Sequence, residues 1–408
     1  VSTVIFCPVT FNLAETTRMI EVARALDPAH RAVFMGYEDD FVSLITDAGF
    51  EYHACQPAWS AAERDQALKF DQGKAFRSPF TRELVAARVA VERRMIRDHA
   101  ATAVVIGSNV TSMISARAEG VPLFYPVPLA LSRPQVEQVR RFRFIDGDGW
   151  IARTADRAAT AAFRWVYTRA PLAPRALSSV AKENGVAALR TVASLLDADV
   201  NLVTVMPWEL KGFTLPDNYR RVGPIFAHLD GELPPIVGEL AAAEVPLVYL
   251  ALGSSANRQL ALTAAAQLGT LPVNVVAPIR HYLQPGDDVP ANVHVTDLLP
   301  AHLLGGLVDA AVLHGGQGTV QTACATGVPF VGMGLQPEQV WNVRVCETQG
   351  NALAVSPKRV GTPEFVDAVR RVLEEPSFRE AAARMREAMS AEDGAAASAR
   401  VIEAHLAR

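Results

Sequence analysis

Short apolar, β-branched runs alternate along the chain with longer stretches in which apolar residues recur every three or four positions. In the first half the runs are STVIFCPV (2–9), RAVFMGY (31–37), AVVIGS (103–108) and VPLFYPV (121–127), with NLVTVMP (201–207) closing the series. Between them TRMIEVARAL places Met19, Val22, Ala23 and Leu26 on one helical face. The stretch 83–100 reads as a helix with Arg93, Arg94 and Arg97 on its wet side, and 136–196 is mostly helical in pattern. The second half repeats the design with runs at 245–255, 272–278, 292–299, 309–316 and 328–334, then a helical end broken near Gly394. Strands alternating with helices predict two parallel α/β domains.

The stretch 218–240 is rich in proline and glycine and weakly periodic, so the domain linker is expected there. The expected division is 1–222, a linker at 223–244, a second domain at 245–390 and a terminal helix at 391–408. At 408 residues the chain is long for one core, and two domains fit its length. The polar segment 62–76 is expected to be a mobile loop on the first domain.

Charge changes the picture by exclusion. With 39 basic and 43 acidic residues the net charge is −4, which provides no basic field for nucleic acid. Cys7, Cys55, Cys324 and Cys346 lie far apart without a CxxC pair, so neither a disulfide framework nor a structural zinc site is expected. No apolar run reaches the roughly 18–20 residues of a membrane span, and no secretory signal pattern opens the sequence. The expectation is a soluble cytoplasmic protein.

Candidate chemistry concentrates in DAAVLHGGQGTVQTACATGVPFVGMGLQPEQVWN (309–342). An apolar strand ends on His314, and Gly315, Gly316, Gln317, Gly318 and Thr319 lead into a helix. Glycines admit backbone N–H groups close to a bulky anion, and the helix N-terminus adds its dipole. His314 and Thr319 are further hydrogen-bond partners for phosphate oxygens. Neither the dinucleotide fingerprint nor the P-loop fits this spacing. After the next strand the chain presents Glu338, Gln339 and Asn342, a carboxylate and amides suited to vicinal sugar hydroxyls. An anion cradle beside a hydroxyl-reading pair, both at strand C-terminal ends, points to a nucleotide-sugar site.

The pattern His-Gly-Gly-x-Gly-Thr, Gly-Val-Pro, then an acidic residue, Gln and x-x-Asn resembles the donor signature of inverting family 1 glycosyltransferases. PDNYRRVGPI (216–225), LALGSS (250–255) and VHVTDLLP (293–300) are similar to further segments of that family, and the order of elements covers nearly the whole chain. The resemblance implies a GT-B fold, two Rossmann-like domains facing each other across a cleft, with the acceptor domain first and the last helix packing back on it. It implies a nucleoside diphosphate sugar as co-substrate, a small-molecule acceptor, no metal or other cofactor, and a monomer or homodimer. By position, His314, Gly316, Gly318, Thr319, Ser254 and Ser255 would surround the diphosphate. Leu298 would lie against the base, and Glu338 and Gln339 would hold the sugar. The family has Asp at the place of Glu338. Plant members that use UDP have a ribose-binding Glu where this chain has Thr322, a difference that favours dTDP.

The family's base is a His after the first strand, oriented by an Asp from a later loop. The His position falls on Glu15, in TFNLAETTR (10–18), and the Asp position falls near Gly107–Asn109, which holds no carboxylate. Glu15 fits two roles. It is a candidate base, because burial against substrate would raise its pKa. It also sits three residues after Asn12, the spacing of a capping box at a helix start. A third possibility is an acceptor that needs no strong base.

His53, His99, His281 and His302 are isolated in sequence. DGD (146–148) reads as a turn, and Trp150, Trp165 and Tyr167 read as core or as the lining of an apolar acceptor pocket. Arginine far outnumbers lysine and alanine is abundant, as in a GC-rich bacterial genome, where antibiotic-type natural-product pathways are common. The expected activity is transfer of a hexose or deoxyhexose with inversion. The alternatives are a nucleotide-sugar epimerase or hydrolase, or a non-catalytic partner protein on the same fold.

Overall fold

The computed structural model describes residues 2–71, 78–145, 149–253 and 255–407. The chain divides into two compact units, Val1–Gly223 with Asp393–Arg408, and Pro224–Glu392.

The first unit contains β1 (Thr3–Cys7), β2 (Arg31–Gly36), β3 (Glu51–Ala54), β4 (Ala101–Ile106), β5 (Leu123–Val127), β6 (Val200–Val203) and β7 (Tyr219–Arg221). They form one sheet in the order β3-β2-β1-β4-β5-β6-β7, parallel throughout. Runs buried on both faces, such as Val4, Ile5, Phe6 and Cys7, explain why its inner strands read as unbroken apolar stretches rather than alternating ones. Helix Leu13–Arg24 buries Met19, Val22 and Ala23, as the spacing predicts. The terminal helix Gly394–Leu406 packs against it, and the Glu403 carboxylate accepts from Asp27 N–H at 2.8 Å.

The second unit contains β8 (Leu247–Ala251), β9 (Asn274–Ala277), β10 (Val293–Val295), β11 (Ala310–Leu313), β12 (Phe330–Gly332) and β13 (Ala352–Ala354). Their order is β10-β9-β8-β11-β12-β13, again all parallel. One face of this sheet packs on helices Arg258–Leu268 and Pro363–Glu374 around Phe365, Leu250, Val275 and Val312.

In both sheets the order reverses beside the first strand, between β1 and β4 and between β8 and β11. Loops at the C-terminal ends of these pairs are where an open α/β sheet can receive ligands.

The boundary between the units falls at Gly223/Pro224, at the start of the expected linker, and the structure refines the picture around it. The stretch 218–240 holds strand β7 and helix Pro235–Ala241, whose Val237 and Leu240 are buried, so its prolines start a helix rather than only a linker. Residues 62–71 of the expected mobile loop belong to helix Ala61–Asp71; the rest, to 76, lies outside the described residues. Strand β13, only three residues long, had no readable run of its own.

Candidate active site

In the second unit β11 delivers His314 to the end of the sheet. The ring is buried, and its Nδ1 faces the Ala251 carbonyl at the end of β8, 3.4 Å away. Two glycines make room for it. A Cβ on Gly253 would stand 2.6 Å from His314 Cε1, and one on Gly316 would stand 2.4 Å from its Nε2. Gly253 also has φ +59°, a conformation that L side chains rarely adopt. Burial pulls the imidazole down to about 4, so the ring is neutral near pH 7.

Beyond it, Gly316 caps helix Gln317–Thr326 without a side chain. The first backbone bond of that helix runs from Val320 N–H to Gly316 O at 3.0 Å, so the amides of Gln317, Gly318 and Thr319 precede the ladder. The Thr319 hydroxyl donates to Gly316 O at 2.9 Å, and the Thr322 hydroxyl donates to Gly318 O at 2.9 Å.

The second loop is tied to the first. Gln339 is buried, its amide donates to Ser255 Oγ at 3.1 Å, and its carbonyl accepts from Leu335 N–H at 3.0 Å. Asn342 donates to Gly315 O at 3.0 Å and to Glu338 Oε1 at 2.8 Å, which fixes the carboxylate on its helix. Gln339 and Asn342 therefore brace the loops as well as present polar groups. Leu298 follows β10 and is 53% exposed, an uncovered apolar side chain at the position expected to meet a base. Ser254, the other serine of the expected phosphate wall, lies outside the described residues, as does the DGD segment.

In the first unit Asn12 caps helix Leu13–Arg24, with its side chain accepting from Glu15 N–H at 3.3 Å. The capping box does not close. Asn12 N–H is bonded to Val9 O, while the buried Glu15 carboxylate reaches the loop after β4 and accepts from Ser108 N–H and, at 2.8 Å, from Ser108 Oγ. Ser108 lies in the stretch where the family resemblance calls for the orienting Asp. Gly107 makes the contact possible, because a Cβ there would fall 1.2 Å from Glu15 Oε1. Burial raises the Glu15 pKa, against the lowering effect of the Ser108 bonds and of Arg18.

Glu92 is a residue that the sequence reading missed. It is fully buried on helix Arg82–Asp98 and accepts from Tyr37 OH at 2.7 Å, from the hydroxyls of Thr111 and Ser115, and from Asn109 Nδ2 at 3.4 Å. Two buried carboxylates thus grip the segment that follows β4. The readable signal was a glutamate on the apolar stripe Val85, Val89, Ile96.

His53 pairs with Glu51 at 2.7 Å and stacks edge-on with His99. Tyr167 is core, its hydroxyl donating to Leu131 O at 2.5 Å, whereas Trp150 and Trp165 are exposed and not core.

Residues 263–404 match the family model of the erythromycin biosynthesis protein CIII-like C-terminal domain. A PGL/p-HBAD biosynthesis glycosyltransferase of Mycobacterium tuberculosis is 28% identical over 391 residues, covering 94% of this chain and 88% of that one. A PGL/p-HBAD biosynthesis rhamnosyltransferase of Mycobacterium bovis is 27% identical over 391 residues, covering 94% and 84%. Among solved structures, glycosyltransferase VinC in complex with dTDP superposes with a TM-score of 0.68 at 20% identity over 99% of this chain and 98% of that one. The chain is a glycosyltransferase on the GT-B fold, and these likenesses support a family 1 enzyme of the natural-product type. In this glycosyltransferase each sheet carries polar machinery at its switch point, His314 in one unit and Glu15 in the other.

Proposed function

We propose that the enzyme transfers a hexose or deoxyhexose from a nucleoside diphosphate, dTDP in preference to UDP, to a small-molecule acceptor with inversion at the anomeric carbon. The cradle around His314 is the observation that carries this reading. Its backbone amides, the positive end of helix Gln317–Thr326 and the Ser255 and Thr319 hydroxyls suit a diphosphate both as ligand and as leaving group. That stabilisation comes from the chain itself, so the reading calls for no metal or other cofactor. Glu338 and Gln339 hold the sugar hydroxyls, and Leu298 covers the base. Thr322 offers no carboxylate to grip two ribose hydroxyls, which suits a deoxyribose. The dTDP bound to VinC and the rhamnosyl group in the name of the Mycobacterium bovis relative support the same direction.

In the proposed reaction Glu15 takes the acceptor proton. The acceptor oxygen bonds to the anomeric carbon as the bond from that carbon to the phosphate oxygen breaks, and its electron pair leaves with the nucleoside diphosphate. Calorimetry with dTDP, UDP and GDP tests the donor side. We expect dTDP to bind most tightly, by about tenfold, or about 1.4 kcal/mol. Tighter binding of UDP or GDP would overturn the nucleotide assignment, and a product with retained anomeric configuration would overturn the mechanism.

A further inference from the structure

Helix Trp150–Thr168 turns its apolar side outward. Its buried residues are Asp156, Thr160 and Tyr167, with Phe163 half-buried beside them. Its exposed residues include Trp150, Ile151, Ala155, Ala158, Ala161, Ala162 and Trp165. At about 100° per residue, Trp150, Ile151 and Trp165 fall within a single arc of about 100°, with Thr154, Ala158 and Ala161 on the same arc between the two tryptophans. Trp150 is 72% exposed, Ile151 66% and Trp165 57%. Phe144, Ile145 and Leu172 add exposed apolar groups from the chain on either side. An ordinary surface helix buries such a stripe and wets the other side.

From Trp150 to Arg175 every exposed charged side chain is an arginine, while Asp146 and Asp148 precede the helix in sequence. Arg140, Arg143, Arg153, Arg157, Arg169 and Arg175 are all exposed. Among the described residues from Val139 to Arg175 the one acidic side chain is Asp156, which is buried and paired with Arg141 at 2.9 Å. Arg140, Arg157 and Arg164 line an open basin beside the helix, together with Glu137. This local excess of arginine stands out in a chain of net charge −4.

We infer that this face docks the enzyme on an anionic lipid bilayer. Tryptophan and isoleucine would enter the boundary between headgroups and acyl chains, and the flanking guanidinium groups would meet lipid phosphates. The tryptophans at both ends suit an interface with an apolar side and a wet side. A second copy seated on the same face through a two-fold axis would set arginine against arginine, which opposes that occupant. Attachment would be peripheral, since no helix among the described residues is long and apolar enough to cross a membrane.

The test is co-sedimentation of the full chain with phosphatidylcholine vesicles and with vesicles containing about one-third phosphatidylglycerol. We expect binding to the anionic vesicles, at least tenfold loss in the W150A/W165A double variant, and a salt-sensitive loss in R153A/R157A. These side chains are exposed, and unchanged circular dichroism and melting temperature would confirm intact folding. Three results would each overturn the inference: no binding to anionic vesicles at low salt, equal binding of W150A/W165A, or a dimer in light scattering that W150A/W165A dissolves while vesicles bind neither protein.

Discussion

Glu15 and His314 stand at corresponding places in two sheets of similar strand order, and they cross the switch point in opposite directions. Glu15 starts after the first strand of its sheet and reaches the loop after the fourth, β4. His314 starts after the fourth strand of its sheet, β11, and turns toward the end of the first, at Ala251. Each crossing depends on glycine giving up its side-chain volume, Gly107 for the carboxylate and Gly253 and Gly316 for the imidazole. Burial moves both groups toward neutrality, raising the acid and lowering the base. A neutral group costs less to bury than a charged one, and each shift brings the group closer to a change of charge when substrate arrives.

The harshest way to break this pairing is Gly107→Ala. The new methyl carbon would occupy the place of the Glu15 carboxylate, so the side chain must leave Ser108. We expect a stability loss of about 1–3 kcal/mol from overpacking and a fall in turnover of about 10³-fold if Glu15 is the base. Calorimetric dTDP affinity, a property of the other unit, should stay the same. Normal turnover in G107A would detach catalysis from this loop.

Glu15→Gln is next in size and more specific. Glutamine keeps the Asn12 cap, because that bond uses the backbone N–H, but it cannot take a proton as a base. Turnover should fall by about 10²–10⁴-fold; Asn12→Ala should instead cost about 1 kcal/mol of stability and leave turnover nearly intact. The pH dependence follows from the raised pKa of Glu15. The base must be ionised, so the wild-type rate should climb as pH rises through that value. The folded state holds a proton that the unfolded state has lost, so this group's contribution to stability should fall over the same interval. E15Q should show neither trend, and a wild-type-like pH–rate profile in E15Q would remove Glu15 from the reaction.

The two halves were not equally legible. The second unit announces its polar site because the parts are close in sequence: His314, Gly316, Thr319, Glu338 and Gln339 fall within one stretch, and local rules for glycine turns and helix starts act there. The first unit hides its polar contacts between distant segments. Position pointed to Glu15 and to Gly107–Asn109 separately, but the bond that joins them spans 93 residues, and no periodicity encodes such a bond. Helix Trp150–Thr168 shows a related limit. Its spacing tells which residues share a face, while the choice of buried face was made by Arg141, which bonds Asp156, and by Phe142 N–H, which bonds Thr160. Strand β13 and helix Pro235–Ala241 were too short to outvote their glycines and prolines.

On the donor side, His314→Ala should weaken dTDP binding by about 10–100-fold, the loss of a charge-assisted contact of roughly 1.5–3 kcal/mol. Burial pulls the imidazole of the unliganded site down to about 4; a bound diphosphate would raise that value and favour proton uptake on binding. Wild-type affinity should therefore gain on H314A as pH falls from 8 to 6, a comparison that cancels the titration of the nucleotide itself. A ratio independent of pH would mean that the ring only fills the space between Gly253 and Gly316.

The smallest effect expected is at Thr322. Its hydroxyl is committed to the Gly318 carbonyl, one turn into the helix that starts at Gln317. Thr322→Glu puts a carboxylate where a ribose would offer two hydroxyls and a deoxyribose one. Each hydrogen bond to a charged group is worth about 1.5–3 kcal/mol at best. Side-chain ordering and the cost of a carboxylate near a diphosphate reduce the net gain, so UDP should improve relative to dTDP by only severalfold. A shift toward dTDP would show that ribose recognition rests on the backbone, with Thr322 serving the helix alone.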